Sequence, residues 1–109
     1  MIEFYIDQTD TGLDANSTST VTTSVDIKTC YELIFYVFGI TGTHTTHVFE
    51  LQVSPNDTDW QTHSSSSVTG EGHIHITSID SHAYARVKCT TVEGGTSTVD
   101  INLQAIRKV

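Results

Sequence analysis

A chain of 109 residues is long enough to bury one core and too short for two, so a single domain spanning 1–109 is expected, without an internal linker. Charged residues supply only 17 %, while Ser and Thr fill about 30 positions, and a hydroxyl surface of that kind suits strands better than helices. Thirteen acids against five bases give a formal charge of −8, which opposes electrostatic binding to nucleic acid or to an anionic membrane.

The chain opens on Met1-Ile2-Glu3-Phe4-Tyr5-Ile6, where Ile2, Phe4 and Ile6 alternate with Glu3 and Tyr5. This is the pattern of a short strand at a sheet edge or swapped onto a neighbouring subunit. It has no basic leader and no long apolar stretch, so synthesis as a soluble chain in the cytoplasm is expected. Asp7 to Ser17 is rich in Asp, Asn, Gly and Ser and reads as a solvated loop. Asp7, Asp10 and Asp14 offer hard oxygen ligands for calcium, but an EF-hand would place its bidentate Glu where Thr18 stands.

Ser19 to Lys28 is a β segment with Val21, Val25 and Ile27 on one face. Tyr31 to Phe38 is the most hydrophobic run. Tyr31, Leu33, Phe35 and Val37 line one side, and Ile34, Tyr36 and Phe38 line the other. An antiparallel strand usually wets one side. A run apolar on both sides therefore marks a central strand whose second face is covered by another layer or another subunit, and Ile34, Tyr36 and Phe38 are the candidate subunit interface.

Gly39 to Thr46 reads as a turn, followed by a strand over His47 to Val53 that points Phe49, Leu51 and Val53 inward and Glu50 and Gln52 outward. Ser54 to Trp60 is an acidic turn in which Pro55 stops the strand and Trp60, the only Trp, caps the core or meets a ligand. After a polar tract over His63 to Ser67, Glu71 to Ser78 alternates again, with Ile74 and Ile76 inward and His73, His75 and Thr77 outward. Asp80-Ser81 then turns into the clearest pattern of the chain. Ala85, Val87 and Cys89 oppose Tyr84, Arg86 and Lys88; Val99, Ile101, Leu103 and Ala105 oppose Thr98, Asp100, Asn102 and Gln104. With Gly94-Gly95 between them, these arms are expected to pair as a hairpin. Seven or eight short strands with turns every eight to twelve residues make an all-β antiparallel sandwich or jelly roll.

Cys30 and Cys89 are too few for a secreted disulfide framework. Two buried thiols, or one bridge between neighbouring strands, are the readings left. Six histidines are the one excess of ligand-type residues, and His73 and His75 share a strand face at a spacing that recurs in zinc and copper sites. A polar strand also presents two imidazoles for solubility alone, so no metal or cofactor is assigned. If the pair faced a symmetry axis, three copies would gather six rings into a metal-trapping contact. No catalytic residue is assigned: Ser, His and Asp are so plentiful that they discriminate nothing, and no nucleophile elbow or phosphate loop is present.

Leu51-Gln52-Val53-Ser54-Pro55-Asn56-Asp57-Thr58-Asp59-Trp60, Ala83 to Lys88 and Val92 to Val99 together resemble small all-β virion proteins of tailed bacteriophages, above all head decoration or cement proteins. The same residues are similar to discoidin-like carbohydrate-binding jelly rolls. The first resemblance implies a non-enzymatic capsid decoration protein on the virion surface. It would be a homo-oligomer, often a trimer, that clamps the major capsid protein across capsomer junctions and binds no nucleic acid and no membrane. The second implies a carbohydrate-binding module of a phage tail or fibre. Either way Trp60, Tyr84 and Arg86 are the candidate ligand or partner face.

Overall fold

The computed structural model describes residues 2–15, 21–42, 48–63, 68–77, 79, 82–91 and 97–108. Within them the alternating segments become nine strands: β1 (Ile2–Asp14), β2 (Val25–Asp26), β3 (Glu32–Gly42), β4 (Val48–Ser54), β5 (Gln61–Thr62), β6 (Val68–Thr69), β7 (Gly72–Ile76), β8 (Tyr84–Thr91) and β9 (Ser97–Lys108). They form two antiparallel sheets. The first has the order β1-β9-β3-β7; the second has β2-β8-β4-β5, with β6 also paired to β4. Counting β5 and β6 as one interrupted edge strand gives four strands in each sheet. Folding the chain in half near Ser54 to Trp60 accounts for β4 meeting β5 and β6, β3 meeting β7, β2 meeting β8 and β1 meeting β9; the remaining pairings, β3 with β9 and β4 with β8, join the ribbon to itself. Rolling that long ribbon into two layers produces a jelly roll, the architecture expected from the strand pattern.

One expectation is overturned. The arms around Gly94-Gly95 are both strands but do not form a hairpin: β8 pairs with β4 and β2, while β9 pairs with β1 and β3. Their apolar faces meet across the core instead, where Ala85, Val87 and Cys89 join Val99, Ile101, Leu103 and Ala105 in one buried cluster. Alternation identifies the face that must be buried; it does not choose between burial beside a neighbour and burial opposite one. The turn itself, with Asp80-Ser81, His44, His47 and the Ser64–Ser67 tract, lies outside the described residues.

Leu33, Phe35 and Val37 of β3 and Phe49 and Leu51 of β4 supply the centre of the core, each 2 % exposed or less. Burying each is worth roughly 1.5–3 kcal/mol. Cys30 and Cys89 are buried in the same cluster and no disulfide joins them. Thr22, not Val21, faces inward: its backbone N–H donates to Val87 O at 2.8 Å, and its hydroxyl accepts from Val87 N–H at 3.0 Å. A buried hydroxyl is tolerable where it satisfies a backbone donor that would otherwise be stranded.

Two predicted loops are strand. Asp7 to Asp14 continues β1 along β9, and Gly39 to Gly42 continues β3. Each extension is made possible by an irregularity in register, between Asp10 and Leu13 in β1 and between Phe38 and Thr41 in β3. Gly12 and Gly39 sit at these points with φ of 63° each, a conformation that Gly adopts without strain. Asp100, on β9 between the two strands, holds both. Its Oδ1 accepts from Gly12 N–H at 2.8 Å, and its Oδ2 lies 2.7 Å from where a Cβ on Gly39 would stand. Local composition says turn at both places; the ladder with β9 overrides it.

Gly39→Ala is expected to destabilise the fold by about 1–3 kcal/mol, since it adds left-handed strain and a collision with Asp100. Gly12→Ala, where a Cβ meets nothing within 4 Å, should cost only the conformational strain, roughly 1 kcal/mol. Urea unfolding of both variants checks the order. Equal losses would show that the Asp100 contact does not matter. Thiol labelling gives a second check: Cys30 and Cys89 should both react only after denaturation.

Candidate interaction site

The outward residues of β3 lie in the middle of the first sheet. Antiparallel register places Ile34 between Gln104 of β9 and His75 of β7, and Tyr36 between Asn102 and His73, while Phe38 stands opposite Asp100. Ile34 is half-buried. Tyr36 at 36 % and Phe38 at 40 % are the large apolar side chains left exposed among the described residues. They border a shallow hollow of about 710 Å³ that also reaches Thr9, Glu71, His73 and Asn102. Side-chain hydrogen bonds tie its walls together. Glu71 accepts from Ile40 N–H at 2.9 Å, within the β3 bulge, and Asn102 Nδ2 donates to Asp7 Oδ1 at 2.9 Å and to Thr9 Oγ1 at 2.8 Å. The Tyr36 and His73 rings lie 5.4 Å apart, and His75 Nε2 is 2.7 Å from Glu32 Oε2. The central-strand expectation for Tyr31 to Phe38 is met, and the second face is open within the described chain.

On the opposite side of the sandwich, Tyr84 and Arg86 share the outer face of β8. The Arg86 guanidinium lies 4.1 Å over the Trp60 ring, and its Nε donates to Gln52 Oε1 at 2.8 Å. Gln52 points outward from β4 yet is only 8 % exposed, because Arg86 roofs it. Trp60 is delivered by a turn in which Asn56 Oδ1 accepts from Thr58 N–H at 3.0 Å and Asp59 N–H at 2.9 Å, with Asp57 at φ 62°. An Asn side chain that mimics a backbone turn, followed by an Asp in the left-handed region, sets the course of this acidic segment. Beside it, Ser54, Thr58, Asp59, Trp60, Gln61 and His82 enclose a second hollow of about 640 Å³. The indole is thus half-buried on the outer surface and is not among the side chains packed on the core.

Tyr84 belongs to a different cluster. Lys28 Nζ lies 4.6 Å from its ring centre, donates to its hydroxyl at 3.1 Å and stands 3.1 Å from Asp26 Oδ2. The Asp26 carboxyl is held below its ordinary value, first by the Lys28 backbone N–H and then by the ammonium; Lys28 is raised, first by Tyr84 and then by Asp26. Of the three residues read as a ligand face, the structure brings Trp60 and Arg86 together and gives Tyr84 to Lys28. The roofing of Gln52 had no local signal, since it needs the register Gln52↔Arg86. The Glu32 contact with His75 likewise joins two strands 43 positions apart.

No family model matches the chain, and no curated protein does. A crystal structure of the SPBc2 prophage-derived protein YomS is similar, with a TM-score of 0.52 over 94 % of this chain and 95 % of that one at 16 % identity. The likeness is one of fold, and it extends along nearly the whole of both chains.

Arg86→Ala is expected to cost about 1–3 kcal/mol, because it leaves the Gln52 carbonyl unsatisfied as well as removing the contact with Trp60. Unfolding followed by Trp60 fluorescence checks it. At Asp26, NMR titration should give a midpoint below the ordinary Asp value, and Lys28→Ala should restore only part of the difference because the backbone N–H remains. A depressed carboxyl contributes stability above its unfolded pKa and loses it as pH falls through the folded one. Here both partners are exposed and salt screens the effect.

Proposed function

We propose that this chain is a non-enzymatic structural protein of a bacteriophage particle, a decoration or cement protein of the capsid surface. The observation that carries the reading is the uncovered aromatic surface of Tyr36 and Phe38 on an interior strand of the first sheet, which suits burial against a protein neighbour better than exposure. Whole-length fold likeness to a prophage-derived protein supports the phage setting. Ile34, Tyr36 and Phe38 serve self-association, and the Trp60, Tyr84 and Arg86 side serves the shell protein. Because these are opposite faces of one sandwich, both contacts form at once, as a clamp across a junction requires. The acidic, hydroxyl-rich remainder keeps a high-copy protein soluble.

The hollow beside Trp60 favours a second reading, a carbohydrate-binding module of a tail or fibre. An indole edge next to Ser54, Thr58, Asp59 and Gln61 offers apolar contact and hydrogen-bonding groups together.

Particles lacking the protein are expected to assemble but to release DNA at lower temperature, and adding the protein back should restore them. Tyr36→Ser/Phe38→Ser should lower the mass seen in sedimentation while leaving the unfolding midpoint nearly unchanged. Depleted particles that are fully stable but fail to adsorb to cells would transfer the assignment to the tail module.

A further inference from the structure

His73 and His75 take no part in the core; His73 borders the Tyr36 hollow and His75 meets Glu32, at the rim of the self-association face. Both are exposed on the outer face of β7, two residues apart on one strand and hence about 7 Å apart along it. Two imidazoles so placed can hold one divalent cation between them, but zinc takes four ligands, or three and a water. Among the described residues the set of imidazoles at this place stops at two. The cross-strand neighbours on β3 are Tyr36 beside His73 and Ile34 beside His75, and among the described residues no group of three metal-binding side chains occurs.

The other side of β7 is the end of the sheet, and among the described residues no strand pairs there. The sequence of β7, Gly72-His73-Ile74-His75-Ile76, is nearly symmetric about Ile74. A second copy added antiparallel and centred on that residue sets His73 of each chain directly opposite His75 of the other. All four rings then project from one face around the two-fold axis, on strands about 4.8 Å apart. Glu32 completes the arrangement. A carboxylate accepts only, so at 2.7 Å it accepts a hydrogen bond from His75 Nε2–H, which leaves the Nδ1 lone pair as the one available to a metal, the usual tie of a ligating histidine.

We infer that β7 carries half of a zinc site, completed by His73 and His75 of a second copy, so that a borderline divalent cation locks two chains edge to edge. This contact is independent of the virion reading and needs no particle for its test. Sedimentation of the purified chain is measured in EDTA and then with zinc ion alone. Zinc should double the mass found in EDTA at one metal per two chains, and EDTA should reverse it. His73→Ala and His75→Ala should each abolish the doubling without lowering the unfolding midpoint, since both side chains are exposed. Glu32→Gln should weaken it on the order of tenfold. The pair His63→Ala/His82→Ala, which removes the other close histidines, with rings 5.7 Å apart, should double as wild type does. An unchanged mass in zinc, or a doubling that survives His73→Ala, overturns the site. A doubling lost from a folded His63/His82 variant assigns the metal elsewhere and overturns it equally.

Discussion

The first sheet hangs on β9 and on one carboxylate within it. β9 lies between β1 and β3 and supplies the ladder for both. β1 shifts register twice and β3 once, and one shift in each strand falls at a glycine in the left-handed region. Asp100 reaches both places, bonding Gly12 N–H and closing the space beside Gly39. A bulge unpairs a residue and bends its strand. Here one acid accepts from the backbone at one bulge and packs against the other, so two long strands follow a single twisted neighbour without losing the inward alternation.

That arrangement determines what the outer face presents. Beyond Phe38 the β3 bulge turns the chain, and Glu71 takes the Ile40 N–H released near it, joining the start of β7 to the same region. Tyr36 therefore stands in the open on a backbone paired on both sides, and Phe38 on one paired to β9. Aromatic surface of this kind binds with little ordering cost, because rings with two rotatable bonds sit on hydrogen-bonded strands.

The second sheet handles its outer face differently. Arg86 lies across Gln52 and against Trp60, and Lys28 lies against Tyr84. Three of the chain's five bases, counting Lys88 on the same face of β8, gather on this side of an otherwise acidic protein. Long cationic stems cover apolar ring surface while their heads keep polar partners. The two faces thus differ in chemistry as well as direction, one open and aromatic, the other roofed by cation and ring pairs.

Period-two alternation determined by itself the fold class and nearly every inward residue from Leu33 to Ala105, because which side of a strand is buried is a property of neighbouring positions. It also marked Ile34, Tyr36 and Phe38 as a second apolar face, and His73 and His75 as a shared outer pair. Tertiary structure alone decided the partners: that β8 and β9 oppose each other instead of pairing, that the polar stretch after Ile6 is strand, and that Arg86 covers Gln52. Those outcomes rest on registers between strands far apart in sequence. Glycine and aspartate at residues 10–14 and 39–42 carry local turn preferences of about 1 kcal/mol or less per residue, and the β9 ladder with Asp100 outweighs them.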